Sequence, residues 1–468
     1  MRNLFLTFFC FALFTTVTYA QDPGNPGKSD ILTEGSEVVK ELKSKNAKVI
    51  APKGQSVAVK KSSSSTSKKI AGQYIVTLNE DFVKPMAAQK SSSSSREGQM
   101  SAAKKHEAQA EKAIRKYAVE TLGLSNDEIT GVFSGAQSGF TVKLKNKKSA
   151  TSWMSKTKSS KNTADVFEDQ EVEIAATMVE STIDAYSPEA WAPQYADYGN
   201  WVAGGCDCTG HSKWIWVLDT GIDLNHPDLN VRTAYGKSFI SSEPSAEDYH
   251  GHGTHVAGIS AAKNNSFGAK GVAYGATVVP IKVLNRYGSG SWSSILAGLN
   301  RVYSYGIKGD IVNMSLGGSI NPSASPTAVE RAIKRLASKG IYVVIAAGNS
   351  SRHSRGYTPA RVNGSKIYTI GATQKNPNWW LHQFASGYSN YGKPPVDYAA
   401  PGSSIYSTYK NGGYGYMTGT SMAAPNFTGA LLCGTKRKKG YYYYRVNPSS
   451  QNLYVCLLYT SPSPRDRG

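Results

Sequence analysis

Cysteine is scarce in this sequence, with five residues among 468. That number is too small for a fold that depends on a dense disulfide framework. Cys206 and Cys208 are separated by one residue, and such a pair could form half of a metal site, but no second Cys/His pair at ligand spacing accompanies it. A disulfide from one of these two, with Cys433 as a candidate partner, is the favoured interpretation. The pairing itself stays open.

Acidic residues are also few, with 33 Asp and Glu against 53 Lys and Arg and a formal net charge of +20 at pH 7. A basic chain can bind nucleic acid by releasing counterions from phosphates. Here the lysines are spread through a Ser-rich N-terminal third and one short run at 436–439. No zinc finger, aromatic RNA-binding motif or repeated basic helix organises them, so we expect no nucleic-acid partner.

Long apolar runs are missing except at the N-terminus. There, residues 4–17 follow Arg2 and precede the small residues Thr18 and Ala20. This pattern predicts a secretory signal over residues 1–20, and therefore a secreted, extracellular protein. The run is shorter than the roughly 20 apolar residues that span a bilayer, which disfavours a membrane anchor.

Two Ser-rich tracts, at 61–69 and 91–95, cannot bury a core and predict a low-complexity linker over 21–68 and a loop. Around the second tract, residues 73–78, 139–144 and 172–174 have the pattern of strands, and residues 106–121 that of a helix. A small α+β domain with a β-α-β plan is therefore predicted over 69–182.

From Trp214 onward, apolar strands alternate with helical stretches. This alternation predicts an α/β fold with a doubly wound parallel sheet, within a large domain over 183–455, and a site beyond the carboxyl ends of the strands. One helix is predicted to begin with Ser325 as N-cap and Pro326 at its first position. The predicted strands are 213–218, 276–283, 310–315, 341–346, 366–370 and 396–399, and the predicted helices are 252–262, 291–305, 326–338 and 421–432.

Three short motifs carry the chemistry: Asp-Thr-Gly at 219–221, His-Gly-Thr-His at 252–255 and Gly-Thr-Ser-Met-Ala-Ala-Pro at 419–425. A serine hydroxyl is nearly inert at neutral pH, so it needs a nearby base whose tautomer is fixed. The chain order aspartate, histidine, serine matches one known arrangement of acid, base and nucleophile in serine hydrolysis. Two other chemistries are disfavoured. An aspartic dyad needs a second Asp-Thr-Gly loop, and a metal cluster of His250, His252 and His255 lacks a His-Glu-x-x-His pattern and an acidic partner.

In these motifs and their order the chain resembles the subtilases, and within them the proteinase K-like secreted endopeptidases, over roughly residues 214–432. The resemblance implies a subtilisin-like fold and a serine endopeptidase that acts as a monomer on proteins and peptides with broad specificity. It assigns Ser421 as the nucleophile, His252 as the base and Asp219 as the residue that orients this base. Asn349, in Ala-Ala-Gly-Asn, is assigned to the oxyanion hole.

The resemblance extends to the small domain, which is similar to the inhibitory prodomain of this family, although residues 145–161 form a longer Lys/Ser-rich stretch. A prodomain of this kind keeps its C-terminal end in the active cleft until the chain is cut, here predicted between residues 180 and 191. The cleft itself is expected between two edges that clamp an extended peptide, above a neutral pocket floor. These segments are Gly288, Ser289 and Gly290; Ser315, Leu316, Gly317 and Gly318; and Ala347 and Gly348.

The resemblance implies no cofactor for catalysis and allows a structural calcium ion with Asp397 as a carboxylate ligand; a plain surface acid is the alternative. A second functional class is a catalytically inactive relative that only binds peptides or its own prodomain. Competent residues at all four catalytic positions favour the enzyme. Residues 456–468 are interpreted as a tail foreign to the natural chain, with a native Ser/Pro linker as the alternative.

Overall fold

The computed structural model describes residues 68–80, 82, 96–145, 150–174, 178–183, 194, 203, 205–375, 382–434, 438–444 and 453–458, with the backbone alone in the strands at 178–183, 438–444 and 453–458. The predicted signal and nearly all of the predicted linker lie outside these residues. No helix in this described part of the chain is long and apolar enough to cross a membrane.

The small N-terminal domain is an antiparallel sheet covered by helices. Its strands lie in the order β4-β1-β3-β2, and every neighbouring pair is antiparallel. Val76, Ile114 and Phe140 are fully buried between the sheet and the longer helix. The elements are β1 Lys69–Leu78, α1 Arg96–Glu120, β2 Ile129–Phe133, β3 Gly139–Lys143, α2 Ala150–Lys158 and β4 Thr163–Ile174.

This domain has more regular structure than the predicted β-α-β plan. Helix α1 begins at Arg96 rather than at His106. The added turns lack apolar periodicity, but they consist largely of Glu, Gln, Met, Ala and Lys, which have high helix propensity. Strand β2 is an addition to the predicted strands. Helix α2 lies inside the Lys/Ser-rich stretch at 145–161, for which the sequence predicts no helix or strand.

The large domain contains the predicted parallel sheet, with central strand order β17-β15-β13-β11-β6-β9-β7. Its elements are β5 Met178–Ile183, β6 Ile215–Asp219, β7 Asn230–Val231, β8 Lys237–Ser238, α3 His252–Ala261, β9 Thr277–Lys282, β10 Ser289–Ser291, α4 Trp292–Tyr305, β11 Ile311–Met314, β12 Leu316–Ser319, α5 Ala328–Lys339, β13 Tyr342–Ala346, β14 Tyr357–Thr358, β15 Ile367–Lys375, β16 His382–Phe384, β17 Val396–Pro401, β18 Ile405–Thr408, β19 Tyr414–Thr418, α6 Thr420–Leu432, β20 Lys438–Tyr444 and β21 Leu453–Leu458.

Helices cover both faces of this sheet, as a doubly wound fold requires. Along β6, Trp216 and Leu218 pack in the core that contains α4 and α5, whereas Ile215 and Val217 pack in the core that contains α3. Successive strand residues point to opposite faces, so β6 is apolar throughout because both of its faces are buried. The predicted strand and helix positions agree with the structure to within a few residues.

Two predicted boundaries cross regular elements. Strand β5 extends over the boundary between residues 182 and 183, and it pairs antiparallel with β19. Strand β21 extends over the boundary between 455 and 456, and it pairs parallel with β17. Pairing does not reveal the origin of a segment, so the interpretation of residues 456–468 stays a prediction.

The disulfide joins Cys206 to Cys433, and Cys208 is a free, buried thiol. The disulfide ties the segment before β6 to the C-cap of α6, the helix that carries Ser421. The three sulfur atoms lie within 4.8 Å of one another. Because two of them are bonded to each other, the group does not offer three thiolates to a metal ion.

The predicted start of α5 is wrong. The N-cap is Thr327, not Ser325, and its side chain accepts a hydrogen bond from the backbone N–H of Glu330. The Glu330 carboxylate accepts in return from the Thr327 N–H at 3.0 Å, which completes a capping box. Proline is common at the first position of a helix, which predicts Pro326 inside α5. The reciprocal pair of Thr327 and Glu330 instead determines where the helix starts.

We expect Thr327→Ala to lower the free energy of unfolding by about 1 kcal/mol, because it removes the side-chain acceptor of the cap. Ser325→Ala is the matched control and should change this free energy by less than about 0.5 kcal/mol. Urea unfolding of both variants, in a Ser421→Ala background to limit self-digestion, measures the difference. Equal effects of the two substitutions would contradict the assigned cap.

Candidate active site

The structure brings Asp219 and His252 together at the carboxyl end of β6. Asp219 is the last residue of that strand and His252 is the first residue of α3. Their side chains are fully buried, and His252 Nδ1 lies 2.7 Å from Asp219 Oδ1. A carboxylate can only accept here, so Nδ1 carries a proton, and in the neutral ring the lone pair is on Nε2. The histidine is therefore held in the tautomer that a general base needs.

Among the residues that the structure describes, the Nε2 atom of His252 is buried without a hydrogen-bond partner. Ser421, the second residue of α6, donates its hydroxyl proton to the carbonyl of Ser315 at 3.2 Å. The hydroxyl is therefore turned toward the neighbouring edge of the cleft in this structure. A buried, unpaired nitrogen is costly, and such groups are kept at functional positions.

Asp248 is a site residue that the sequence motifs did not reveal. One of its carboxylate oxygens accepts the backbone N–H groups of His250 and Gly251, and the other accepts the N–H and the hydroxyl of Thr254. The first oxygen also accepts the hydroxyl of Thr220, beside Asp219. These bonds fix the turn that leads into α3 and so set the position of His252. An acid four residues before the histidine was the only sequence signal.

Gly253 explains why the helix can approach the Asp219 turn so closely. A Cβ at this position would lie 2.1 Å from the carbonyl oxygen of Gly221 and 3.1 Å from Asp219 Cβ. Neither backbone can accommodate such an atom without moving. The glycine in the His-Gly-Thr-His motif is thus required by the contact that brings the two side chains of the pair together.

The two other histidines of this region have different settings. His255 is fully buried, and its Nε2–H donates to the carbonyls of Ile405 and Gly415. Burial lowers the pKa of His255 to about 3, so it stays neutral and joins α3 to β18 and β19. His250 Nδ1 accepts from the His252 N–H, and burial lowers the pKa of His250 as well. Among the described residues, the three histidines do not form a metal-binding group.

Asn349 lies beside the first turn of α6. Its Oδ1 accepts the backbone N–H of Thr420 at 2.8 Å. This bond fixes which end of the amide is Oδ1, so the other end, Nδ2, is the one that can donate a hydrogen bond. The first N–H groups of a helix have no acceptor within that helix. Asn349 is therefore linked to the first turn of the helix that carries Ser421. The preceding Gly348 has φ +100°, and a Cβ there would lie 2.4 Å from Asn390 Nδ2.

The two predicted edges of the cleft flank an extended strand of the same chain. Residues 171–174 of β4 pair antiparallel with β10, where Gly290 is opposite Val172. They also pair antiparallel with β12, where Leu316 is opposite Ile174. Gly288 has φ +76°, and a Cβ there would lie 3.1 Å from Ile174 Cδ1. The structure thus places Gly288, Ser289 and Gly290 on one side of β4 and Leu316 and Gly317 on the other.

The predicted pocket floor is only partly accessible to a ligand. Ala347 is fully buried with Phe384, Val396 and Ala399, so its methyl group belongs to the core. Its carbonyl accepts from Asn390 Nδ2 and from the Ser354 hydroxyl. Its N–H donates to the carbonyl of Ile370 at 2.9 Å, so Ala347 offers a substrate no exposed or unpaired group.

Comparison with known proteins gives the family. The profile of the subtilase family matches residues 210–446, which include Asp219, His252, Asn349 and Ser421. Subtilisin Savinase from Lederbergia lenta is 45% identical over 247 residues, covering 53% of this chain and 81% of that protein. The chain belongs to the subtilase family. It is a serine-type endopeptidase, a hydrolase with an α/β subtilisin-like fold.

Other relatives of this subtilase differ in how much of their length is matched. An extracellular serine proteinase from Thermus sp. (strain Rt41A) is 32% identical over 355 residues, covering 75% of this chain and 77% of that protein. An alkaline protease from Alkalihalobacillus alcalophilus is 45% identical over 247 residues, and the match spans 58% of its length. The Thermus match is long enough to extend beyond the catalytic domain.

The predicted calcium ligand of this subtilase, Asp397, accepts a hydrogen bond from the backbone N–H of Thr369 at 2.9 Å. Burial raises the pKa of Asp397 to about 6. Its carboxylate belongs to no group of three or more acidic, His or Cys ligands among the described residues. The assignment of Asp397 to a calcium site stays a prediction.

Four oxygen atoms surround the side-chain amide nitrogen of Gln194, which is a more complete set of cation ligands than the one at Asp397. Two hydrogens on one amide nitrogen cannot satisfy four acceptors at once, whereas a calcium ion prefers six to eight oxygen ligands. The carboxylate of Asp228 borders the same loop and accepts from Asn265 Nδ2 and from the Ala269 N–H. The oxygens near Gln194 Nε2 are Lys263 O at 2.7 Å, Ala269 O at 3.0 Å, Asn265 Oδ1 at 3.2 Å and Phe267 O at 3.5 Å.

We expect Gly253→Ala to lower kcat for peptide hydrolysis about 100-fold, because the added methyl group pushes α3 away from Asp219 and misplaces His252. Gly387→Ala is the matched control, since a Cβ there meets nothing within 4 Å. Steady-state kinetics on a short peptide, with thermal unfolding to check folding, measures the effect. A Gly253→Ala enzyme with normal kcat would show that this contact does not position the base.

Proposed function

We propose that this subtilase is made as a secreted zymogen, that Ser421 cuts its own chain, and that the processed enzyme then hydrolyses proteins with broad specificity. The observation that carries the proposal is the pairing of residues 171–174 with both β10 and β12. An extended strand between two cleft edges is the conformation in which a protease binds a peptide substrate. The small domain would thus act as an intramolecular inhibitor whose end occupies the cleft.

The proposed reaction begins when the Ser421 hydroxyl turns from Ser315 toward His252. Oγ attacks the substrate carbonyl carbon while His252 Nε2 takes its proton, and Asp219 stabilises the resulting imidazolium. The oxyanion that forms would accept from the Asn349 amide and the Ser421 N–H. The C–N bond then breaks, and His252 gives its proton to the leaving amine. Water, deprotonated by the same nitrogen, releases the acyl group and restores the hydroxyl.

The register supports a processing site earlier than the predicted interval of 180–191. Ile174 is opposite Leu316, and the residue before Leu316 is Ser315, whose carbonyl accepts from Ser421. A peptide that continued this register by one residue beyond Ile174 would present the carbonyl of that residue to Ser421. We therefore propose the Ala175–Ala176 bond as the site of the cut. Strand β5, which pairs with β19, would then remain with the mature domain.

Broad specificity follows from the way the cleft holds its strand. The contacts of β4 with β10 and β12 are backbone pairings, which do not depend on the identity of the side chain. Secretion is supported by the apolar N-terminal run and by the name of the Thermus relative, an extracellular proteinase. The finer likeness to proteinase K-like enzymes and the monomeric state stay predictions.

Ser421→Ala should abolish the cut, so that intact mass of the secreted protein shows the uncut chain, whereas the wild type yields a mature chain that begins at Ala176. Ala175→Asp should slow the cut at least about tenfold, because a carboxylate would be desolvated beside the nucleophile. Ser181→Asp is the matched control and should be cut normally. A wild-type N-terminus between residues 180 and 191 would overturn the proposed site.

We further propose that Gln194 and the loop 263–269 hold a structural calcium ion, with the Asp228 carboxylate beside them. With the Gln194 amide turned over so that Oε1 replaces Nε2, the side-chain oxygens of Gln194 and Asn265 and the carbonyls of Lys263, Phe267 and Ala269 would be its ligands. When bound, the ion would link the segment at Gln194 to the loop that follows α3. It takes no part in peptide hydrolysis.

Removal of calcium with EDTA should lower the melting temperature of the Ser421→Ala protein. Asp228→Asn should remove most of this decrease, because the ion would lose the negative charge that attracts it. Asp397→Asn is the matched comparison and should leave the EDTA effect intact. Differential scanning calorimetry with and without calcium measures each shift. If only Asp397→Asn abolished the EDTA effect, the sequence-based assignment would be right and this one wrong.

A further inference from the structure

An ion pair far from the cleft joins the small domain to the catalytic domain. The guanidinium of Arg96, the first residue of α1, donates from both terminal nitrogens to the Asp310 carboxylate, each at 2.9 Å. The side chains are 9% and 0% exposed. The same guanidinium lies 3.6 Å from the ring centroid of Trp214 and donates to the carbonyl of Ser212. Bidentate pairing and stacking on an aromatic ring are the two contacts that arginine makes and lysine does not.

Asp310 depends on this arginine for its neutralisation. Its other hydrogen bonds come from the Trp214 N–H, the Trp216 indole and the Ile307 N–H, all of them neutral donors. Within the described residues, Arg96 is its one ion-pair partner. The ammonium of Lys339 is also in the neighbourhood, but it donates to the carbonyl of Tyr303.

The other polar contacts of α1 with the catalytic domain bury less charge. Glu107 accepts from the Tyr305 hydroxyl at 2.7 Å and lies 4.0 Å from Arg301. The Glu107 side chain is 32% exposed, so water can replace these contacts. Removing Arg96 would instead leave a buried carboxylate without a counter-ion, which is far more costly than losing an exposed pair.

The ion pair and the cleft lie at opposite ends of one strand. Asp310 immediately precedes β11, and Ser315 immediately follows it. At about 3.3 Å per residue, the two ends are roughly 16 Å apart. The small domain therefore contacts the catalytic domain at both ends of β11. Strand β4 makes the contact at the end next to Ser315, and Arg96 makes the contact at the end next to Asp310. A cut next to Ser421 would break the chain at the first end and leave the second unchanged.

We propose that Asp310 and Trp214 form a guanidinium site on the catalytic domain, that Arg96 is its occupant, and that this site retains the small domain after the chain is cut. The retention rests on the proposed zymogen function. The guanidinium site does not, because it is defined in the uncut chain.

The site is tested in the uncut Ser421→Ala protein. Arg96→Ala should lower its melting temperature by roughly 5 °C or more. Arg115→Ala is the matched control, because Arg115 is on the same helix and forms an exposed pair with Glu111; its shift should stay within about 1 °C.

Chemical rescue then identifies the ligand. Alanine keeps the Cβ, so ethylguanidinium replaces the missing part of the arginine. Ethylguanidinium at about 10 mM should restore at least half of the decrease in melting temperature of Arg96→Ala and none of that of Arg115→Ala. This concentration is far below that at which guanidinium salts denature proteins. Ethylammonium at the same concentration should not rescue. Equal melting temperatures for the two variants, or equal rescue by both ions, would overturn the guanidinium site.

Retention is tested in the chain that keeps Ser421. After the cut, wild-type enzyme should co-elute with its small domain in size exclusion, and Arg96→Ala should lose it and reach full peptidase activity at least about tenfold sooner. The rate of the cut itself should be unchanged. Co-elution that is equal in both proteins would overturn retention. If the wild type is never cut, the zymogen proposal fails together with retention, while the rescue experiment still decides the site.

Discussion

The antiparallel pairing of residues 171–174 with β10 and β12 is the contact on which the arrangement of both domains depends. Through it, the sheet of the small domain continues into the two edges of the cleft. Backbone pairing of this kind needs close approach, which Gly288 permits because a Cβ there would lie 3.1 Å from Ile174 Cδ1. Gly290 is required by its own domain, since a Cβ there would lie 2.2 Å from the carbonyl of Val283. Ser421 and His252 are fully buried in this chain. If the small domain inhibits as proposed, inhibition and substrate binding would use the same hydrogen-bonding groups.

The candidate catalytic residues come from elements that the parallel sheet brings together, although they are far apart in the sequence. Asp219 ends β6, and α3 and α6 pack together on one side of the sheet. Helix α6 can enter the core because it consists almost entirely of small or apolar residues. Its polar residues are paired inside the protein: Thr428 donates to Asn313, and Asn426 donates to the carbonyl of Pro401.

Much of the large domain could be predicted from sequence because strands buried on both faces read as apolar runs, and because glycine-rich motifs mark the turns at their ends. The triad candidates could be predicted for the same reason. The start of α1 could not, because its first turns lack apolar periodicity, and the role of Asp248 could not, because it depends on hydrogen bonds with Thr254, Thr220 and the backbone that leave no periodic pattern. The cap at Thr327 was predictable in principle, because Thr-x-x-Glu is a capping-box signature, but the proline at 326 pointed to the wrong residue. The pair of Arg96 and Asp310 was out of reach for another reason: the two residues are separated by 214 positions, and nothing in either local sequence points to the other.

The scarcity of acids in this basic chain makes the few buried carboxylates unusually consequential. Asp219, Asp248 and Asp310 are nearly inaccessible to water: Asp219 ends β6, Asp310 immediately precedes β11, and Asp248 lies in the turn that leads into α3. Such a carboxylate is tolerated only when donors surround it, so each one fixes several backbone segments at once. Lysines on the surface can be solvated and contribute little individually. A single arginine that neutralises a desolvated acid can therefore matter more to the association of the two domains than the net charge of +20.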